Sequence, residues 1–193
     1  YFLLREVPFG NDGDFSHTAM VNRMNGELAN DYGNLAQRVL SMIAKNCDGQ
    51  VPQPGDFTDE DRALLDPAAA LLGQVRDALD RQAFHEALET IWVVIRAANG
   101  YVDHQAPWKL RKDDPDRMAT VLYVLAETIR RLALLTQPFM PETSAKLLDQ
   151  LAVADDARDL THLADGVALT PGTELPKPQG VFPRFQDDEA GAS

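Results

Sequence analysis

The stretch that most constrains the fold is DDPDRMATVLYVLAETIRRLALLTQPFMP, residues 113–141. Asp114 can accept hydrogen bonds from the free N–H groups of a first helical turn. Pro115 suits the first helical position, where its missing N–H would be unpaired in any case, and Pro138 closes the helix. Four other segments carry helical apolar spacing between turn residues. DFSHTAMVNRMNGELANDYGNLAQRVLSMIAKNC starts with Asp14 or Ser16 as N-cap and places Val21, Met24, Leu28, Leu35, Val39 and Met42 near helical register. Gly33 inside it costs about 1 kcal/mol against Ala, and permits either close backbone packing or a bend. CDGQVPQPGDF then ends the helix.

A second region starts near Thr58, with Asp59 and Glu60 favourable in its first turn. Pro67 is expected to interrupt it before it ends near Gln82. A third, from Ala83 to about Asn99, puts Phe84, Leu88, Ile91, Val94, Ile95 and Ala98 on a broad apolar face. Asn99-Gly100 is expected to end it, with Tyr101 and Val102 continuing after a bend. PETSAKLLDQLAV supplies a short fifth helix, with Pro141 at its start and Glu142 in its first turn. Strand-like alternation of useful length and internal repeats are both missing. The pattern therefore predicts an all-α fold, an antiparallel bundle of four to five helices with a short extended connector at each end. Its expected division is a connector over 1–15, a helical bundle over 16–151, and an irregular segment over 152–193. Within the last, GVFPRF is expected to dock as a short strand or extended anchor near 180–185, before a flexible tail.

At 193 residues and 45% apolar content the chain can bury a substantial core. No apolar run approaches the roughly 20 residues of a membrane-spanning helix, and a signal-peptide pattern is missing. The opening YFLLREVPFG reads as the middle of a longer protein. Cys47, the single cysteine, excludes a disulfide framework or a cysteine zinc site within these residues. The formal charge of -12 is regional. Residues 54–80 hold seven acids against two bases and residues 140–193 ten against four, while residues 16–47 hold three bases against two acids. A polyanion could therefore approach a near-neutral face.

The sequence offers no nucleophile–base pair, no glycine-rich phosphate loop and no histidine pair at ligand spacing. His17, His85, His104 and His162 are scattered, and GNDGD lacks the ligand spacing and closing Glu of a calcium loop. Binding features are better defined. Asn34 and Arg38 lie four apart, on one helix face. Amide and guanidinium groups suit the edges of unpaired bases, although a solvated helix face would look the same. Trp108 follows Pro107 in a connection between helices and precedes Lys109, Arg111 and Lys112. Its indole could stack on a base while the cations contact phosphates. The alternative is a tryptophan closing the end of the core. Trp92, within an apolar face, is expected to be core.

NRMNGELANDYGNLAQR, ANGYVDHQAPW and the opening YFLLREVPFGNDGDFS together resemble the C-terminal half of methionyl-tRNA synthetases; VFPRF resembles that family's Leu-Phe-Pro-Arg segment. The resemblance implies an anticodon-binding bundle in which Asn34 and Arg38 contact anticodon bases and the first of these stacks on Trp108. For Lys109, Arg111 and Lys112 it implies proximity alone. It implies a parent methionine-tRNA ligase that uses ATP and magnesium in its catalytic half, whereas these residues carry no catalytic group, cofactor or metal. The implied partners are methionine-specific tRNA, initiator and elongator, and the catalytic domain of the same chain, in a cytoplasmic monomer with no membrane contact. Two alternatives stay open: the same bundle from another class I synthetase, and a helical protein-interaction module that binds no RNA.

Overall fold

A computed structural model describes residues 1–13, 15–164 and 166–186. Its helices are α1 (Phe2–Glu6), α2 (His17–Arg23), α3 (Asn34–Asn46), α4 (Asp59–Asp80), α5 (Phe84–Gln105), α6 (Pro107–Asp113), α7 (Pro115–Thr136) and α8 (Pro141–Gln150). A π-helical segment, Met24–Gly33, joins α2 to α3 without a break, and 3-10 turns follow at Asp155–Ala157 and Leu160–Leu163. Extended pairing among the described residues is limited to an isolated antiparallel bridge between Gln50 and Glu174. The fold is the expected all-α bundle.

The segment that dominates the sequence also dominates the core. Every residue of α7 from Thr120 to Thr136 is buried, packed against α3, α4, α5 and α8. Its charges are buried with it and therefore need partners. Glu127 accepts from Arg130 at 2.7 and 2.8 Å, from Arg131 at 2.9 Å and from the Leu169 backbone N–H at 3.0 Å. Arg130 also donates to the His162 and Val167 carbonyls, and Arg131 to that of Leu163. The cluster fastens the irregular segment after α8 across the middle of α7.

Several local expectations give way to tertiary contacts. Ser16 caps α2, its hydroxyl accepting from the Ala19 N–H at 3.2 Å; Asp14, the other candidate, lies outside the described residues. Of the two roles open to Gly33, close packing is the one used. A Cβ there would lie 3.0 Å from the Leu28 carbonyl oxygen and 3.2 Å from Phe182 Cβ. Pro67 does not interrupt α4: it and Ala63, whose carbonyl loses its partner, both face solvent, so the freed carbonyl is not buried unpaired. Nor does α5 end at Asn99-Gly100. It runs to Gln105 because Asn99 donates to the Asp31 carbonyl, the Tyr101 hydroxyl donates to Asp61, and Val102 is fully buried.

The two ends of the chain differ from their expected forms. Within the opening connector, Phe2–Glu6 is helical rather than extended. It is held by Tyr1 and Arg5 donating to Glu27, Arg5 to Glu89, and Arg23 to Glu6. Residues 180–185 dock as an irregular anchor that bends at Val181 and Phe182, not as a strand. Their neighbours are helices whose backbone groups are already paired, so side chains make the attachment. The Phe182 ring lies 5.3 Å from that of Tyr32, and Asn25 both accepts from the Phe185 N–H and donates to its carbonyl. Of the expected flexible tail, residues 186–193, all but Gln186 lie outside the described residues.

Candidate nucleic-acid interface

α3 turns Leu35, Ala36, Val39, Leu40 and Ile43 into the core, which leaves Asn34 and Arg38 on its outer side. Asn34 is exposed, one turn before Arg38. The Arg38 guanidinium donates to Asp103 Oδ1 at 2.7 Å, and its central carbon lies 5.7 Å from the centroid of the Trp108 ring. Arg38 and Trp108, 70 positions apart in sequence, therefore meet in the fold.

A tight corner between α5 and α6 brings Trp108 there. Ala106 turns the chain through the left-handed region, with φ 43° and ψ 59°, a conformation that costs an L-residue about 1–2 kcal/mol. Its N–H donates to the Val102 carbonyl at 3.1 Å, and its carbonyl accepts from the Lys109 N–H at 2.8 Å. Pro107 is buried and opens α6. Trp108 thus sits on a short helix, where the sequence predicted a connecting loop. The reason is that Pro107 fits a first helical position as readily as it breaks a preceding helix. Leu110 packs against the core, while Lys109, Arg111 and Lys112 are exposed.

The core-closing alternative for Trp108 does not hold, since the residue is 47% exposed. Trp92 is the core tryptophan, fully buried between Tyr1 and Tyr32 with ring centroids at 4.9 and 6.2 Å. The histidines stay apart: His104 lies 3.7 Å from Glu60, His162 lies 3.2 Å from Asp159, and His17 sits edge-on to Phe185. Among the described residues no group of three or more His, Cys, Asp or Glu side chains could hold a metal ion. Nor is any helix among them long and apolar enough to cross a membrane.

Sequence reasoning missed two parts of the site. Asp103 supplies the counter-charge to Arg38, and no spacing rule links residues 65 apart. Beneath the corner lies a buried network around Asp61. Its carboxylate receives both terminal nitrogens of Arg117, at 2.6 and 2.7 Å, together with the Tyr101 hydroxyl and the Thr58 N–H. Burial alone would raise the Asp61 pKa. The hydrogen bonds from Arg117 and Tyr101 outweigh it and hold the carboxyl at about 2. The Tyr101 hydroxyl is pushed the other way, by burial first and then by the adjacent carboxylate.

Comparison with known proteins bears on this geometry. Residues 51–192 match the family model described as the anticodon binding domain of methionyl tRNA ligase. Residues 1–40 match the model of class I tRNA synthetases (M). The chain is 58% identical over 187 residues to the methionine–tRNA ligase of Brucella suis biovar 1, covering 96% of this chain and 36% of that protein. It is 55% identical over 190 residues to the ligase of Mycobacterium tuberculosis strain H37Rv, with the same coverage. The apo crystal structure of M. tuberculosis methionyl-tRNA synthetase superposes with a TM-score of 0.93 at 55% identity, over 96% of this chain and 38% of that one. The M. tuberculosis enzyme in complex with methionyl-adenylate gives 0.92 over 95% and 36%. The chain thus spans little more than a third of the length of these relatives.

Proposed function

This chain belongs to the methionyl-tRNA ligase family, and we propose that its bundle reads the unpaired anticodon bases of a methionine-specific tRNA, initiator or elongator, through Asn34, Arg38 and Trp108. The observation that carries the reading is the half-exposed Trp108 indole beside the Arg38 guanidinium, with Asn34 one turn away. A flat ring held at a rigid corner stacks an unpaired base whatever its identity, a contact worth about 1–3 kcal/mol. An amide and a guanidinium then discriminate, because a wrong base leaves one of them desolvated without a partner, at about 1–3 kcal/mol. Lys109, Arg111 and Lys112 flank the indole at positions where phosphates of the same loop would lie. Reading bases in this way does not need a strongly basic surface, which agrees with the acidic chain.

The whole protein, in the same proposal, is a methionine-tRNA ligase of the cytoplasm, whose catalytic half, supplied with ATP and magnesium, joins methionine to tRNA through an adenylate. The bundle over 16–151 tests the anticodon. In the full-length ligase carrying this sequence, Trp108→Ala should raise the KM for tRNA by about 5- to 150-fold, the equivalent of one stacking contact. Methionine-dependent exchange of pyrophosphate into ATP needs no tRNA and should persist. Equal loss of both reactions would overturn the assignment, as would indifference to replacing the CAU anticodon.

A further inference from the structure

α6 carries Trp108, yet with seven residues it cannot hold a fixed direction by its own hydrogen bonds. One residue outside it grips both of its ends. The Arg117 Nη2 donates to Gln105 Oε1 at 2.8 Å, one residue before the Ala106 corner. The Arg117 backbone N–H donates to Asp114 Oδ1 at 3.0 Å, one residue after α6 ends. The guanidinium is itself immobilised by its two bonds to Asp61, a fully buried carboxylate at the start of α4 that also receives Tyr101 from α5. A planar fork held on two bonds has little freedom to swing. Gln105 is gripped from both sides, since its amide nitrogen donates to Glu60 while its oxygen accepts from Arg117. The corner is therefore tied to the first turns of α4 and α7, two of the long helices of the bundle.

We infer that Arg117 and Gln105 are positioning residues for base recognition: by bracketing α6 they set the tilt of the Trp108 indole beside Arg38. The inference rests on the anticodon reading above. Neither side chain touches the face offered by Trp108; both act through the direction of α6. Gln105 is only partly buried and lies at the corner, so its two bonds hold the corner without filling the core.

The test uses the full-length ligase carrying this sequence, with Gln105→Met, Trp108→Ala and the double variant. Gln105→Met keeps the side-chain length, leaves the Asp61–Arg117 pair intact and removes both grips on the corner. It should raise the KM for tRNA about tenfold, the equivalent of roughly 1.4 kcal/mol. Pyrophosphate exchange and melting temperature should stay unchanged. If Gln105 acts through Trp108, the double variant should be no worse than Trp108→Ala alone. Multiplying effects in the double variant would overturn the inference, as would a KM for Gln105→Met within about twofold of the parent. So would a parallel fall in exchange and melting temperature, the mark of a merely structural role. If Trp108→Ala raises the KM and Gln105→Met does not, the positioning role fails and the anticodon reading stands. If Trp108→Ala has no effect, the anticodon reading itself fails.

Discussion

Trp92 and Trp108 stand on successive helices and meet opposite fates. Trp92 is fully buried, packed between two tyrosines. Trp108 keeps 47% of its surface in solvent, on a helix whose corner includes a strained alanine. Exposed aromatic area forfeits about 25 cal/mol for every Å² that the core could have taken. Folding alone would favour turning this indole inward. The two regions thus obey different rules: around Trp92 the chain fills space, and at the α5–α6 corner it holds an apolar surface away from the core. The same division separates Asp61, sealed under the corner, from Asp103, in solvent beside Arg38.

The most forceful way to break this contrast is truncation. Trp92→Ala should cost about 3–5 kcal/mol of unfolding free energy, because it empties a packed site. Trp108→Ala should cost less than about 1 kcal/mol, as for other surface truncations. Urea midpoints for the two variants check the pair, and equal losses would mean that Trp108 is a core residue after all. A smaller effect separates the two aspartates. The Asp61 carboxyl sits at about 2 in the fold, against an ordinary 3.8. A depressed carboxyl pKa contributes stability that is fully present above about pH 4 and fades as the pH falls toward 2. That shift amounts to roughly 2 kcal/mol. The stability gap between the parent and Asp61→Asn should therefore narrow through that window, when urea unfolding is followed at successive pH values. An unchanged gap down to pH 2.5 would show that the bonds to Arg117 and Tyr101 do not govern this group.

The contrast also explains what could be read in advance. The helices with strong end signals were legible: Asp114 accepts from the Arg117 N–H as a capping residue should, with Pro115 at the first helical position. Signals that stop a helix proved weaker than the contacts beyond them, as Pro67 and Gly100 show. The π segment had no local signature. Its one fully buried large side chain, Tyr32, stands four residues after Leu28 and three before Leu35, the spacing of an ordinary α-helix, so the apolar pattern gave no sign of the wider turn. At the site, Asn34 and Arg38 could be placed on one face from their spacing. The meeting of Arg38 with Trp108 could be expected only from family resemblance, because helical periodicity does not specify which helix faces which. The bonds of Asp61 to Arg117, 56 positions away, were invisible for the same reason.

The finest test lies inside the exposed region, where Arg38 has two neighbours of different character. Its pair with Asp103 joins side chains that are 39% and 63% exposed, so the coupling should be below about 1 kcal/mol and should fade with salt. At 1 M salt the screening length is about 3 Å, comparable to the contact itself. Its contact with Trp108 should be worth about 0.5–1 kcal/mol, and part of that comes from packing of the planar group on the ring, which salt does not screen. Double-mutant cycles for the two pairs, measured by urea unfolding at low and high salt, should give one coupling that collapses and one that largely survives. If both collapse, Arg38 is placed by charge alone and leaves the indole free on both faces when Asp103 is neutralised. If the Trp108 coupling survives, one face of the ring is already covered in the free protein. An incoming base must then stack on the opposite face or displace a guanidinium that is suited to bond with its edge. In that arrangement a single side chain would guard the stacking surface and, under the proposed anticodon reading, also read what lands on it.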